Sequence, residues 1–178
     1  ENYEGGSAKL DLCIELIQSA VESGHKILLF SQFTSMIEIL TARLQEESIS
    51  CFVLQGSTKK EQRAQMVEQF NRDDTSVFCI SLRAGGTGLN LTGADIVIHY
   101  DPWWNVAVEN QATDRAHRIG QKNVVTVYKL IAKGTIEEKI IKLQQMKKEL
   151  AEEILSGDEI KTASFQREEL LELLEERF

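Results

Sequence analysis

The stretch that decides the fold is K-I-L-L-F at residues 26–30. A short, continuous apolar run of this kind is typical of a strand covered on both faces in a parallel sheet. Helical patterns flank it, since residues 7–23 and 35–47 each place apolar side chains along one face at helical steps. Ser7 can cap the first of these helices, and Gly24 ends it. The order of helix, buried strand and helix indicates an α/β domain.

The same alternation continues along the chain. Further strands are predicted at residues 50–54, 76–81, 95–100 and 124–131, and further helices at residues 58–70, 106–118 and 135–155. Two T-x-x-E sequences, beginning at Thr58 and Thr135, predict capping boxes at the starts of two of these helices. Strands that alternate with helices in this way predict a parallel sheet with helices on both faces.

Polar or glycine-rich turns follow three of the predicted strands. They begin at Ser31 (S-Q-F-T), at Gln55 (Q-G-S-T) and at Ser81. Because ligands of such folds bind at the carboxyl ends of the strands, we expect these turns to gather at one edge of the sheet. The third turn continues into residues 82–93, a glycine-dense loop whose backbone N–H groups suit a phosphate. The alternative is a surface loop without a ligand.

Composition limits the class of protein. The chain has 178 residues, of which 42% are hydrophobic, and can bury the core of one domain with an appended helical tail. The net charge is -8, but residues 151–178 hold nine acids and three bases, whereas residues 54–133 hold ten bases and eight acids. The acidic tail thus carries most of the negative charge, and the overall charge does not exclude nucleic acid as a partner.

Two classes of site are not expected. No apolar run has the length that spans a bilayer, and the N-terminal E-N-Y-E-G-G lacks the regions of a signal peptide, which predicts an intracellular protein without membrane contact. Cys13, Cys51 and Cys79 lie among apolar neighbours and are expected to be buried free thiols. No histidine stands at ligand spacing from them, so no metal site is predicted.

The predicted helix at residues 106–118 carries the most distinctive polar pattern. Gln111, Arg115 and Arg118 follow one another at steps of four and three, which places an amide and two guanidinium groups on one face. Two permanently charged planar forks suit a phosphate. The alternative is a solvated face on which arginine pairs with Glu109 or Asp114.

Residues 101–121, D-P-W-W-N-V-A-V-E-N-Q-A-T-D-R-A-H-R-I-G-Q, resemble the last helicase motif of the Swi/Snf family of ATP-dependent DNA translocases. Members of that family read D-P-x-W-N-P and then Q-A-x-D-R-A-H-R-I-G-Q, so Val106 stands where a second proline is usual. S-L-R-A-G-G-T-G-L-N-L from Ser81 resembles the fifth motif, and K-I-L-L-F-S-Q-F-T resembles the fourth. L-Q-G-S-T-K-K-E-Q-R resembles the segment after the fourth motif.

The resemblance covers residues 7–155 and implies a RecA-like second helicase lobe. Residues 1–155 would form this lobe with a long bracing helix, and residues 156–178 a linker and an acidic amphipathic tail helix similar to the ends of bacterial members. The resemblance assigns Gln111, Arg115 and Arg118 to catalysis at the ATP of the other lobe, and Gly88 and Asn90 to the nucleotide. The positions that it assigns to DNA are Ser31, Gln32, Gly56, Ser57, Thr58, Arg63, Ser81, Arg83 and Trp104.

The sequence contains no G-x-x-x-x-G-K-[ST] and no strand that ends in a magnesium-binding acidic pair. The resemblance therefore implies that ATP and Mg²⁺ bind between two lobes of a longer enzyme and that this fragment alone is inactive. Its expected partners are the first lobe and double-stranded DNA, with a DNA-bound protein as one candidate substrate. The expected location is the cytoplasm or nucleoid of a bacterium, or the nucleus of a eukaryote. The alternative is a stand-alone nucleic-acid-binding or regulatory module; the W-W-N and D-R-A-H-R-I-G-Q residues disfavour an RNA helicase lobe.

Overall fold

The computed structural model describes residues 7–81, 89–103, 105–114, 116 and 124–156. The elements alternate along these residues. In order they are α1 (Ala8–Glu22), β1 (Ile27–Ser31), α2 (Thr34–Glu46), β2 (Cys51–Leu54), α3 (Lys60–Arg72), β3 (Val77–Ser81), β4 (Ile96–His99), α4 (Val106–Thr113), β5 (Thr126–Lys129) and α5 (Ile136–Ser156). The predicted tail helix lies outside the described residues.

The five strands form one parallel sheet in the order β2-β3-β1-β4-β5. β1, which contains most of the K-I-L-L-F run, is the central strand, and all five of its residues are buried. The sequence prediction of a parallel sheet in which this strand is covered on both faces is confirmed. β5 is shorter than predicted. It forms one edge of the sheet, and its four residues are all exposed.

Alternate residues of β1 face two separate cores. Ile27 and Leu29 pack with α1 and α2 in a first cluster that also includes Leu40. Leu28 and Phe30 pack with α3 and α4 in a second cluster. Helices therefore cover both faces of the sheet, as the sequence predicted, and the period of two along the strand decides which core each side chain enters.

The structure confirms one of the two predicted threonine caps and not the other. Thr58 does not cap a helix, because α3 begins at Lys60 and Lys59 is its N-cap without a side-chain hydrogen bond. Thr58 Oγ1 instead accepts from Gln55 N–H at 3.1 Å and closes the turn between β2 and α3. At α5 the threonine does cap, since Thr135 Oγ1 accepts from Glu137 N–H at 3.2 Å.

The start of α5 is fastened to α1. Lys9 Nζ lies 2.6 Å from Glu137 Oε2 and 4.8 Å from the centre of the Tyr100 ring. Ile140 is buried one helical turn further along α5. The long predicted bracing helix is thus seated on the domain at its N-terminal end.

All three cysteines are free thiols, as predicted. Cys13 and Cys79 are buried, whereas Cys51, which was also expected to be buried, is half-buried. Among the described helices, none is long and apolar enough to cross a membrane. The described residues also contain no cluster of three or more side chains that could hold a metal ion.

Candidate functional site

The carboxyl ends of β1, β2 and β3 meet at one edge of the sheet. Ser31, the last residue of β1, pairs with Ser81, the last residue of β3, and Leu54 at the end of β2 pairs with Ile80. The three turns that the sequence singled out therefore begin side by side. Their clustering follows from the parallel register, which brings equivalent strand ends together.

A buried carboxylate fastens two of the strand ends at this edge. Asp101, which is 4% exposed, accepts from Ser31 Oγ at 2.5 Å and from the Gln32 backbone N–H at 2.9 Å. The Gln32 side chain in turn donates to the Pro102 carbonyl at 3.1 Å. Burial raises the pKa of Asp101, while the hydrogen bonds from Ser31 and Gln32 oppose that shift. Asp101 thus joins the end of β1 to the segment that follows β4.

Burial changes the interpretation of two predicted DNA contacts. Ser31 is 0% exposed and Ser81 is 1% exposed, so neither hydroxyl faces solvent. A hydroxyl at that depth cannot reach a phosphate without movement of the strand, and Ser31 Oγ is already shared between Asp101 and the Phe33 N–H. Ser31 is therefore placed as a residue that positions the turn. The sequence signal for this role is an aspartate directly after an apolar strand.

The turn after β2 is held from the side by an arginine of α3. Arg63 Nε donates to the Thr58 carbonyl at 2.8 Å, and its Nη2 donates to the Gly56 carbonyl at 3.2 Å. The Thr58 N–H donates to the Gln55 carbonyl at 3.0 Å and closes the same turn. Gly56 and Ser57 are left exposed at the tip, whereas Arg63 and Thr58 are half-buried. The predicted DNA residues of this turn therefore fall into an exposed pair and two residues that shape it.

An asparagine clamps the end of the glycine-rich loop onto α3. Asn71 Nδ2 donates to the Asn90 carbonyl at 2.8 Å, and Asn71 Oδ1 accepts from the Gly93 N–H at 2.8 Å. A Cβ on Gly93 would lie 2.9 Å from that same Oδ1, so the close approach requires glycine. Asn90 itself is exposed. Gly88 and Arg83, which the sequence assigned to nucleotide and DNA, lie outside the described residues.

α4 begins and ends within the segment that carries the predicted catalytic residues. Asn105 Oδ1 caps its start by accepting from the Ala107 N–H at 3.0 Å, and Gln111 lies exposed on its surface. The helix ends at Thr113 and not at Arg118, with Asp114 as the C-cap. The shared helical face of Gln111, Arg115 and Arg118 is therefore not confirmed. Arg115, Arg118 and Trp104 lie outside the described residues.

Small residues seat this segment on the sheet. Ala112 and Ala116 are both 0% exposed and pack in the second core cluster, and Trp103 packs against that cluster half-buried. Ala116 stands in sequence between the two arginines, so the chain is anchored on the sheet between them. Alanine allows this close approach because it adds only a methyl group to the contact.

Glu109 does not lie on a solvated face of α4, so it is not the exposed ion-pair partner that the alternative allowed, whereas Asp114, the other candidate partner, is exposed. The Glu109 side chain is 1% exposed, and its Oε1 lies 2.7 Å from Lys129 Nζ of β5. Its Oε2 accepts from Gln144 Nε2 of α5 at 2.8 Å and from the Trp103 N–H at 3.4 Å. Burial alone would raise the pKa of Glu109, but the contacts with Lys129 and Gln144 hold it below its usual value.

A buried histidine extends these contacts to β4. His99, which is 1% exposed, stacks on Phe30 with the ring centres 5.5 Å apart, and its Nε2 lies 3.0 Å from Thr113 Oγ1. Burial lowers the pKa of His99 to about 4, so the ring is neutral at pH 7. We call Glu109, His99, Thr113, Lys129 and Gln144 the Glu109 cluster. Sequence reasoning missed it, because its members are far apart in the chain.

Residues 8–120 match the model of the helicase conserved C-terminal domain. The chain belongs to this family. The chain is 46% identical over 170 residues to an uncharacterized ATP-dependent helicase of Mycoplasma pneumoniae, a match that covers 95% of the chain and 16% of that protein. It is 44% identical over 169 residues to the human chromatin-remodeling ATPase INO80, a match that covers 94% of the chain and 11% of that protein.

A solved structure supports the same placement. The chain matches the crystal structure of the C-terminal part of the Fun30 ATPase domain with a TM-score of 0.74 and 38% sequence identity, over 77% of this chain and 45% of that one. The predictions of a RecA-like fold and of a Swi/Snf-type C-terminal helicase lobe are thus confirmed. The chain spans less than a fifth of the length of the two curated relatives named above.

Proposed function

We propose that the helicase lobe is the second motor lobe of a Swi/Snf-type ATPase that is stimulated by double-stranded DNA and moves along it. One observation carries this proposal. The run that begins at Asp101 starts at the carboxyl edge of the sheet, where Asp101 is fastened to β1, and it is seated again through Ala112 and Ala116. The residues that match the last helicase motif therefore extend from the edge at which such folds bind ligands.

Arg115 and Arg118 would supply positive charge to an ATP held by the first lobe. Phosphoryl transfer shifts negative charge towards the departing phosphate oxygens, and a guanidinium group that already points at them stabilises that charge. Bound ATP with Mg²⁺ would supply the phosphoryl group and its counter-ion. Gln111 is exposed on α4 and would orient groups beside the same phosphate, and Asn90, which is also exposed, would contact the nucleotide with Gly88.

The turn after β2 would contact the DNA backbone. Gly56 and Ser57 are exposed at its tip, where backbone N–H and hydroxyl groups are ordinary donors to phosphate. Gln32, Thr58, Arg63, Arg83 and Trp104 would complete the DNA surface. Ser31 and Ser81, whose hydroxyls are buried, would not touch DNA but would support the turns that follow them. Because such contacts are made mainly to phosphates, we expect binding that tolerates any sequence and weakens steeply with salt.

The test replaces each arginine in turn, in a protein that contains both this lobe and the first lobe. Arg118→Lys and Arg115→Lys keep the charge but lose the bidentate fork. We expect each to lower DNA-stimulated ATP hydrolysis by a factor on the order of 10³, as for arginine fingers elsewhere, with unchanged DNA affinity in the absence of nucleotide. Arg72→Lys is the matched control, because Arg72 is 77% exposed on α3 and pairs with Glu68.

Two results would contradict the proposal. Normal hydrolysis by both lysine variants, together with a lower melting temperature, would make the arginines structural ion-pair partners. DNA-stimulated hydrolysis by this lobe alone would show that it holds a complete ATPase site, although its sequence lacks the phosphate-binding G-x-x-x-x-G-K-[ST].

A further inference from the structure

α4 rests on a buried carboxylate as well as on apolar side chains. Glu109 lies in the middle of this helix, and donors reach it from β5 (Lys129), from α5 (Gln144) and from the backbone of Trp103. Gln144 Nε2 also donates to the Trp103 carbonyl. Three elements and the start of the last helicase motif therefore meet at a single side chain.

Stability alone does not explain a charge in this place. Removing a carboxylate from water costs several kcal/mol, and well-packed apolar residues often replace a buried ion pair without loss of stability. What a carboxylate adds is direction, because its donors must lie near the lone pairs of its two oxygens. Gln144 of α5 donates to Glu109 Oε2 at 2.8 Å, and Lys129 of β5 lies 2.7 Å from Oε1 as an ion pair, so contacts from two other elements fix the rotation of α4.

The end of α4 is fixed in a second way. Thr113 Oγ1 donates to the Glu109 carbonyl at 3.2 Å, so the hydroxyl accepts the proton of His99 Nε2 at 3.0 Å. His99 is neutral at pH 7 and provides this one N–H as a donor. Thr113 stands two residues before Arg115 in the sequence. Directional bonds therefore hold both the middle and the end of the helix that leads into the arginines.

Gln144 connects this arrangement to α5. The start of α5 is tied to α1 through Lys9 and Glu137, and Gln144 is 6% exposed two helical turns later. A displacement of α5 would move the Gln144 amide away from Glu109, and α4 would lose a donor that fixes its rotation. The same contact would couple the position of α5 to the segment that contains Arg115 and Arg118.

We propose that Glu109 and Gln144 are positioning residues, which hold α4 in the orientation that aims Arg115 and Arg118 at the ATP of the first lobe and which link that orientation to α5. The inference rests on the proposed function. The two positioning residues are not among those that the proposed function places at the nucleotide. It also predicts that a side chain on the bracing helix controls the rate of the chemical step.

The experiment uses the lobe joined to its first lobe and compares neighbouring glutamines of α5. Gln144→Leu removes the amide at similar volume, whereas Gln145→Leu is the matched control, because Gln145 is exposed and bonds only Glu149 of its own helix in the described contacts. We expect Gln144→Leu to lower the kcat of DNA-stimulated hydrolysis about tenfold, since misplacement of a catalytic group by a fraction of an ångström is costly. The KM for ATP and the DNA affinity without nucleotide should stay unchanged, and Gln145→Leu should behave as the wild type.

A combined variant separates positioning from a general effect on folding. In a protein that carries both Arg115→Lys and Arg118→Lys, assayed at high enzyme concentration, Gln144→Leu should lower the residual kcat by less than twofold, because both groups that it positions are already impaired. Glu109→Gln, which keeps the shape of the side chain, should reproduce both results. An equal loss of kcat in the two backgrounds, or a wild-type kcat for both variants, would overturn the inference.

The controls also separate this inference from the proposed function. If Arg118→Lys itself leaves hydrolysis unchanged, the arginine role fails and the positioning role fails with it. If Arg118→Lys removes most of the hydrolysis while Gln144→Leu and Glu109→Gln do not alter kcat, the proposed function stands and only the positioning role is wrong.

Discussion

α2 and α4 lie on opposite faces of the same sheet and are held by different chemistry. α2 inserts Ile37, Leu40 and Leu44, all 0% exposed, into a core cluster whose other members on α1 are also apolar or thiol side chains. α4 packs on the sheet through the small side chain of Ala112 and beside it buries the charged side chain of Glu109. Apolar packing is not directional, whereas hydrogen bonds to a buried carboxylate are.

The two helices should therefore respond differently to substitution. A helix that packs through apolar side chains, such as α2, is stabilised in proportion to the area that it buries. Substitutions that conserve side-chain volume there change the free energy of unfolding little. α4 leads in sequence into Arg115 and Arg118, and under the proposed function the orientation of this helix would matter more than the area that it buries. We therefore expect substitutions below α2 to change stability and substitutions around Glu109 to change activity as well.

Leu40→Ala should have the largest effect on stability. The side chain is fully buried between α2 and the sheet, and its loss leaves a cavity, so the free energy of unfolding should fall by about 2–5 kcal/mol. Leu12→Ala is the control, because Leu12 is 56% exposed on α1 and should cost less than about 1 kcal/mol. Chemical denaturation of both variants measures the two losses in the free energy of unfolding. Losses of similar size would contradict the view that buried apolar packing holds α2 on the sheet.

Lys129→Met tests how strongly the buried Glu109 carboxylate depends on its cation. The variant leaves the Glu109 carboxylate buried without its cation, and because Lys129 is 41% exposed we expect a loss of only about 1–2 kcal/mol at pH 8. Without Lys129, burial raises the pKa of Glu109, so the carboxyl takes up a proton as the pH falls and no longer needs the cation. The loss should therefore be smaller at pH 5 than at pH 8.

Lys133→Met is the matched control for this variant. Lys133 is exposed in the turn before α5, and its replacement should change the free energy of unfolding by less than about 0.5 kcal/mol at either pH. Urea denaturation at the two pH values provides the measurement. A loss for Lys129→Met that does not depend on pH would mean that the carboxylate is not what the lysine stabilises.

The sequence predicted the features that depend on local patterns. The K-I-L-L-F run predicted a strand covered on both faces, and the alternation of elements predicted a parallel sheet, in which Ser31 lies beside Ser81. Thr58 was a plausible helix cap by spacing, but its hydroxyl closes the preceding turn. Local spacing cannot decide between those two uses of one hydroxyl, because both satisfy a nearby backbone N–H.

The sequence could not predict the partners of Glu109. Spacing along a helix favoured an arginine of the same segment, whereas the donors come from Lys129 and Gln144, which stand 20 and 35 residues further along the chain. Such long-range choices depend on how β5 and α5 pack, and no local pattern records that. The burial of Ser31 followed from a strand end being covered by Asp101, which is likewise a tertiary effect.

His99→Gln should have the smallest effect, and it tests the neutral state of the buried His99 beside Thr113. The glutamine can still donate an amide N–H to Thr113, but it does not titrate. Burial lowers the pKa of His99 to about 4 from 6.5, so the unfolded chain binds the extra proton and stability is lost as the pH falls below 6.5 towards 4. The wild type should therefore lose about 1 kcal/mol more than the variant between pH 6 and pH 5, since one full proton corresponds to about 1.4 kcal/mol per pH unit. Asp101, whose raised pKa acts in the opposite direction, is present in both proteins and cancels in the difference. Parallel pH profiles of stability for wild type and variant would show that His99 is protonated as readily in the folded lobe as in the unfolded chain, and the neutral donor assigned to it beside Thr113 would then be wrong.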